Sequence, residues 1–148
     1  MFHGPNTLAN HLVNVRLFRG LDAAGLTEVA AAARRIERKR NVTFFRQGHE
    51  ATRFFVIVAG RVKISQITPD GHQVVARFAG PGELFGCVPL FGGDVYPGTA
   101  TTVADCASLS WDRSITDRLM QRFPRLAINA LNLLGQELAE LRRRFQEL

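Results

Sequence analysis

The spacing of hydrophobic positions changes twice along the chain, and the two changes divide it into three parts. Leu8, Leu12 and Val15 fall on one face of a short amphipathic stretch that Asn6 or Thr7 can cap. Leu17-Phe18-Arg19-Gly20-Leu21 makes an apolar turn out of it. Leu26, Val29, Ala30 and Ala33 repeat at helical spacing, which predicts a second helix over residues 27–35, and the 3.6-residue period lapses near Ile36. From there to Leu109 the chain reads as short runs rich in β-branched and aromatic residues, at 42–45, 54–59, 62–67, 74–78, 101–104 and 107–109. Arg46-Gln47-Gly48, Ala59-Gly60-Arg61, Pro69-Asp70-Gly71 and Ala79-Gly80-Pro81-Gly82 supply turn chemistry between them. Val62, Ile64 and Gln66 alternate with Lys63, Ser65 and Ile67, which predicts an antiparallel β-sandwich or barrel with at least one wet strand face.

Helical spacing returns in the last forty residues. Asp112 can cap a helix carrying Ile115, Leu119 and Met120, and Phe123-Pro124 interrupts it before a longer helix with proline near its first turn. Ala127, Leu131, Leu134, Leu138, Leu141, Phe145 and Leu148 then alternate steps of four and three, a heptad seam that calls for a partner helix. Ile128 and Leu133 lie off the seam and are expected to make any inward contact. The expected organisation is N-terminal helices over 1–35, a β domain over 36–111 and C-terminal helices over 112–148, with the coiled-coil helix at 124–148.

Composition narrows the class without naming a function. With 148 residues, 46% hydrophobic and 22% charged, the chain fits one globular domain. A chain of this size buries about 70% of its unfolded surface and needs neither disulfides nor a metal to fold. Cys87 and Cys106 lack CxxC spacing and fit a reducing compartment. No export signal is visible, and the longest uncharged apolar stretch, residues 54–59, is far short of the roughly 20 needed for a membrane span; a cytoplasmic protein without membrane contact is expected. The net charge of +6 concentrates in residues 34–40 and in Arg142-Arg143-Arg144. Neither cluster interleaves aromatics for base stacking, so both read as solvated faces, one of a strand and one of a helix.

Five pieces in order carry a family resemblance: Phe45-Arg46-Gln47-Gly48, the run from Phe55 to Ile64, Pro69-Asp70-Gly71, Gly82-Glu83-Leu84-Phe85-Gly86 followed by Leu90-Phe91, and the seam helix after Phe123-Pro124. Over residues 8–148 the chain resembles the sensory domain of the CRP/FNR transcription regulators, the cyclic-nucleotide-binding-domain fold. The resemblance implies a mainly β double-stranded β-helix (jelly roll) with helices at both ends. It also implies a phosphate-cassette loop at 82–103 and a parallel homodimer along helix 124–148 through Leu131, Leu134, Leu138, Leu141, Phe145 and Leu148. Such regulators place a helix-turn-helix domain after the dimer helix. The heptad pattern stops at Leu148 without a terminator, so the chain is expected to be the sensor part of a longer DNA-binding protein, with DNA contact only through a domain absent from it.

In nucleotide-binding members of that family a glutamate accepts from the ribose 2′-hydroxyl and an arginine pairs with the cyclic phosphate. The matching cassette positions here are Gly86, Cys87 and Val88, then Thr99, Ala100 and Thr101. Cys87 stands where the glutamate would be, and Gly98 where the arginine would be, or Pro97 if the loop aligns without an insertion. No arginine lies between Arg77 and Arg113, and the adenine-binding hydroxyl pair falls at Leu141-Arg142. Cyclic AMP and cyclic GMP are therefore not expected to bind at micromolar concentration, and the effector stays unassigned. An iron–sulfur cluster would need cysteines that residues 1–40 lack. His3, His11, His49 and His72 leave haem open but are scattered and offer no ligand pair, so no metal or cofactor is expected. Cys87 reads either as a redox switch or, among Phe85, Val88 and Leu90, as inert packing. A stand-alone or fused cyclic-nucleotide regulatory module is the alternative. An enzyme is not expected, since no HxH pair, Ser-His-Asp set or carboxylate pair is visible.

Overall fold

The computed structural model describes residues 5–147, with side chains from residue 8. His3 and Leu148 lie outside them. Helix α1 (Pro5–Leu12) starts on proline, which suits the first helical turn, so Asn6 and Thr7 sit inside the helix and do not precede it as caps. A 3₁₀ turn (Arg16–Phe18) follows. Helix α2 (Ala23–Ala31) begins earlier than the alanine pattern predicts because the Asp22 carboxylate accepts from Gly25 N–H at 2.8 Å. It also ends earlier: Arg34 and Arg35 belong to strand β1 (Arg34–Arg38), paired with the strand at Cys106–Asp112.

Among the described residues eight strands form two four-stranded antiparallel sheets. Besides β1 they are β2 (Thr43–Phe45), β3 (Arg53–Ala59), β4 (Val62–Ile67), β5 (Gln73–Ala79), β6 (Leu84–Phe85), β7 (Thr99–Thr102) and β8 (Cys106–Asp112). The orders β1-β8-β3-β6 and β2-β7-β4-β5 make the jelly roll that the resemblance implies. The run after Phe54 has no alternation because β3 is buried on both faces. Phe55 and Ile57 point between the sheets with Phe85, Val62 and Ala100, whereas Phe54 and Val56 meet the helices with Trp111, Phe18 and Leu12. Trp111 is fully buried and donates its indole N–H to Val29 O at 3.0 Å, fixing α2 over this outer face.

The predicted alternation in β4 holds only for its first half. The pairing with β5 shifts there: Ile64 faces Arg77 and Ser65 faces Val75, so the extra residue is Ala76 on β5, while β4 stays in register with β7. Ser65 is 4% exposed, whereas Ile67 is 52% exposed. Two elements escaped the pattern altogether: β6 is two residues long, and helix α3 (Val88–Phe91) is a single turn.

Helix α4 (Arg113–Arg122) is capped by Asp112, which accepts from Ile115 N–H at 2.8 Å. Helix α5 (Pro124–Gln146) begins on its proline. Its inward face is Leu126, Asn129, Ala130 and Leu133; Ile128, expected inward, is exposed. The seam faces solvent, with Leu131 68%, Leu138 55%, Leu141 50% and Phe145 69% exposed, and Leu134 half-buried. Both basic clusters lie at the surface, where Lys39 pairs with Asp105 and Arg143 and Arg144 with Glu140. Among the described residues no helix is long and apolar enough to cross a membrane, and no three His, Cys, Asp or Glu side chains converge as a metal site.

Candidate effector cavity

Residues 86–98 leave β6, make one turn of helix and return as β7. Gly86 turns the chain out of β6 at φ +66°, and a Cβ there would stand 2.9 Å from Phe45 and 3.2 Å from Phe55, so the stacked aromatics require glycine. Cys87 precedes α3, and Gly92 ends it in the left-handed conformation. The returning loop is tied down over its length. Ala51 N–H donates to Asp94 O at 2.8 Å, and Gly48 N–H to Tyr96 O at 2.8 Å. The Arg113 guanidinium donates to Ala51 O and Gly93 O. Tyr96 is the anchor of this loop. Its ring stacks on Phe45, 3.7 Å between centroids, while its hydroxyl donates to Arg53 O at 2.6 Å and accepts from Arg53 N–H at 3.0 Å.

A cavity of about 160 Å³ remains between this loop, the β4–β5 hairpin and α5; its wall includes Phe45, Ile64, Arg77, Cys87, Tyr96 and Glu137. Gly86, Cys87 and Val88 of the predicted site line it. The other three face elsewhere. Thr99 Oγ1 accepts from Gln47 N–H at 3.0 Å, Ala100 is fully buried between the sheets, and Thr101 pairs with Thr43 and Lys63 across the ladder. Gly98 packs so closely on β4 that a Cβ would lie 2.8 Å from Ser65 O and 3.3 Å from Ile64. An arginine at that position requires β4 to move. Burial pushes the Cys87 thiol up to about 12, against a smaller opposing pull from Arg77, so it is a neutral thiol at physiological pH.

Arg77 is the site residue that the sequence reading missed, because it lies on β5, outside the 82–103 loop. Its register carried the signal. Arg77 pairs with Ile64 across the ladder, and cross-strand partners share a sheet face, so the residue opposite a cavity-lining Ile64 reaches the same cavity. Its guanidinium donates to Leu84 O at 2.5 Å. Glu137 of α5 places a carboxylate across the same opening, and a more open cavity of about 430 Å³ shares Arg77, Cys87, Phe91 and Glu137. The smaller opening alone is below the roughly 300–1,000 Å³ that ligand pockets occupy, and the larger one beside it lies within that range.

The model of the cyclic nucleotide-binding domain family matches residues 35–123. The chain belongs to that family. Among curated proteins it is 24% identical, over 127 residues, to the CRP-like cAMP-activated global transcriptional regulator of Mycobacterium tuberculosis, covering 86% of this chain and 57% of that one. It is 30% identical to the nitrogen fixation regulation protein FixK of Bradyrhizobium diazoefficiens, covering 84% of this chain and 54% of that one. The chain thus spans little more than half the length of these curated relatives. Of the solved structures, the Thermus thermophilus catabolite activator protein superposes with a TM-score of 0.85 at 25% identity, covering 88% of this chain and 62% of that one. These homologues are CRP-like transcription regulators.

Proposed function

We propose that this cyclic nucleotide-binding domain is the sensory and dimerisation part of a CRP-type transcription regulator that pairs through α5 and does not respond to cyclic nucleotides. The uncovered seam of α5 carries the first half of the reading. Four large apolar side chains at heptad spacing stand more than half exposed or at half, over a stretch where the helix has left the core. A second copy of α5 buries that stripe by knobs-into-holes packing. The cavity supports the second half: Cys87 is neutral and Gly98 has no room for a longer side chain, so neither cassette position supplies a charged anchor. DNA contact, on this reading, belongs to sequence outside the chain, no catalytic step is assigned to it, and no cofactor or metal takes part.

Effector and seam are coupled through α5, since Leu133 packs on the core while Glu137, one turn on, lines the cavity. An effector that prefers one α5 pose shifts the paired helices by its difference in affinity between poses. The test is a thermal-unfolding titration with cyclic AMP and cyclic GMP to millimolar concentration. A ligand binding only the folded state stabilises it by RT ln(1 + [L]/Kd). The expected result is no saturable shift. A saturable shift that disappears in Arg77→Gln would overturn the reading and make Arg77 the phosphate anchor of a cyclic-nucleotide module.

A further inference from the structure

On the side of α5 away from most of its seam lies a further concave surface, which meets the seam at Leu131 and shares Arg16, Leu133 and Gln136 with the larger of the two cavities above. Its volume is about 460 Å³, and Arg16 and Arg19 of the 3₁₀ turn, with Arg125, Asn129, Asn132 and Gln136 of α5, supply its polar wall. At about 100° per residue, Arg125, Asn132 and Gln136 stand roughly opposite Leu134, Leu138 and Leu141, so pairing along the seam leaves this side open. No carboxylate lines it, and among the described residues none lies within ion-pair distance of these three arginines. Glu137 and Glu140 belong to the neighbouring cavity, and Glu140 already holds Arg143 and Arg144.

Two contacts hold the backbone that carries these arginines before any ligand arrives. Asn129 is 6% exposed and donates from Nδ2 to Leu17 O at 2.7 Å and to Arg19 O at 2.8 Å, which ties the turn carrying Arg16 and Arg19 to α5. Gly20, at φ +91°, lets Arg125 lie across the turn, since a Cβ there would meet Arg125 Nε at 3.3 Å and Cγ at 3.4 Å. Three uncompensated cations held around a concavity of ligand size are complementary to a compound with several negative charges. Guanidinium forks match phosphate oxygens, and the amides of Asn132 and Gln136 add neutral donors.

We propose that this cavity binds a multiply charged phosphate compound, inorganic or nucleotide, that bridges Arg16 and Arg19 on the turn and Arg125 on α5. The bound anion fastens the turn to the helix whose far end carries the seam. Because the chain carries a net charge of +6, any polyanion is drawn to it weakly, and the test must separate a built site from that background. Tripolyphosphate and adenosine triphosphate are titrated calorimetrically at fixed ionic strength into the chain, into Arg19→Gln/Arg125→Gln, and into Arg142→Gln/Arg144→Gln, which removes the same charge elsewhere on α5. All four substituted positions are exposed in this chain, and circular dichroism checks that each variant is folded. The expected result is saturable binding at one site per chain, weakened roughly tenfold or more in the first variant and little in the second. Equal affinity for both ligands assigns recognition to the phosphate chain, and tighter binding of the nucleotide adds a role for Leu133 beside it. Absence of saturable binding, or equal weakening in both variants, would overturn the proposal. So would binding of an acidic peptide without binding of tripolyphosphate, which would make the surface a protein-docking site.

Discussion

Replacing Asn129 by alanine tests how α5 is held to the domain. Its amide donates to two carbonyls of the 3₁₀ turn, and the bond to Leu17 O is buried. A buried carbonyl left without its donor costs about 1–3 kcal/mol, and Arg19 O, which is partly solvated, costs about 0.5–1 kcal/mol. Alanine returns about 0.5 kcal/mol through helix propensity. The net loss is about 2 kcal/mol, or roughly 4–8 °C in midpoint for a domain of this size. Urea unfolding followed by circular dichroism reads it directly, because a change in midpoint at constant slope is a change in stability. Asn129→Asp is the sharper variant: an ionised carboxylate facing two carbonyl oxygens keeps the volume but reverses the hydrogen-bonding sense, so it loses more than alanine. A loss below about 0.5 kcal/mol for alanine, or an aspartate variant more stable than the alanine one, would refute the assignment of Asn129 as the tie between turn and helix.

Two further predictions concern the cavity. Cys87 titrates near 12 in the folded chain and near its ordinary value of 9.0 when unfolded, so the unfolded state loses its proton first as pH rises. Stability contributed by the buried thiol is therefore complete below pH 9.0 and falls from there to about 12, by up to about 1.4 kcal/mol per pH unit. Cys87→Ser has a flatter pH profile in that window, and iodoacetamide labels native Cys87 far more slowly than the unfolded thiol at pH 8. Tyr96→Phe keeps the stack on Phe45 but removes the hydroxyl that donates to Arg53 O and accepts from Arg53 N–H; it destabilises by about 1–2 kcal/mol, measured by urea unfolding.

The parts of the fold that were legible in the sequence are those in which one period governs a whole element. The heptad of α5, the Asp112 cap and the β4 boundaries were all readable. Where two burials overlap, the period disappears: β3 is apolar from Phe54 onward because one face meets the other sheet and the other meets the helices. Elements of only about one period, β6 and α3, leave no repeat to read. The bulge at Ala76 was equally hidden, since an extra residue in β5 changes which of its side chains share a face with β4 and leaves no mark in the order of residues along either strand. In the candidate site, Gly86, Cys87 and Val88 were placed by the resemblance. Arg77 and Glu137 reach the same cavity from a hairpin and from a helix 60 residues apart in the chain (137 − 77), a proximity that only tertiary structure supplies. The arginine cavity was hidden for the same reason: Arg16 and Arg19 are ordinary turn residues until Asn129 brings them to Arg125.

Sedimentation equilibrium of the chain at micromolar concentration, compared with Leu138→Asp, tests the dimerisation module most directly. Leu138 is 55% exposed at the centre of the seam and belongs to neither hydrophobic core cluster, so the substitution leaves the fold intact while placing a charge in the helix pair. The account predicts twice the chain mass for the parent and the single chain mass for the variant, with unchanged circular dichroism in the β region. A parent that remains a single chain, or a variant that still pairs, would contradict it.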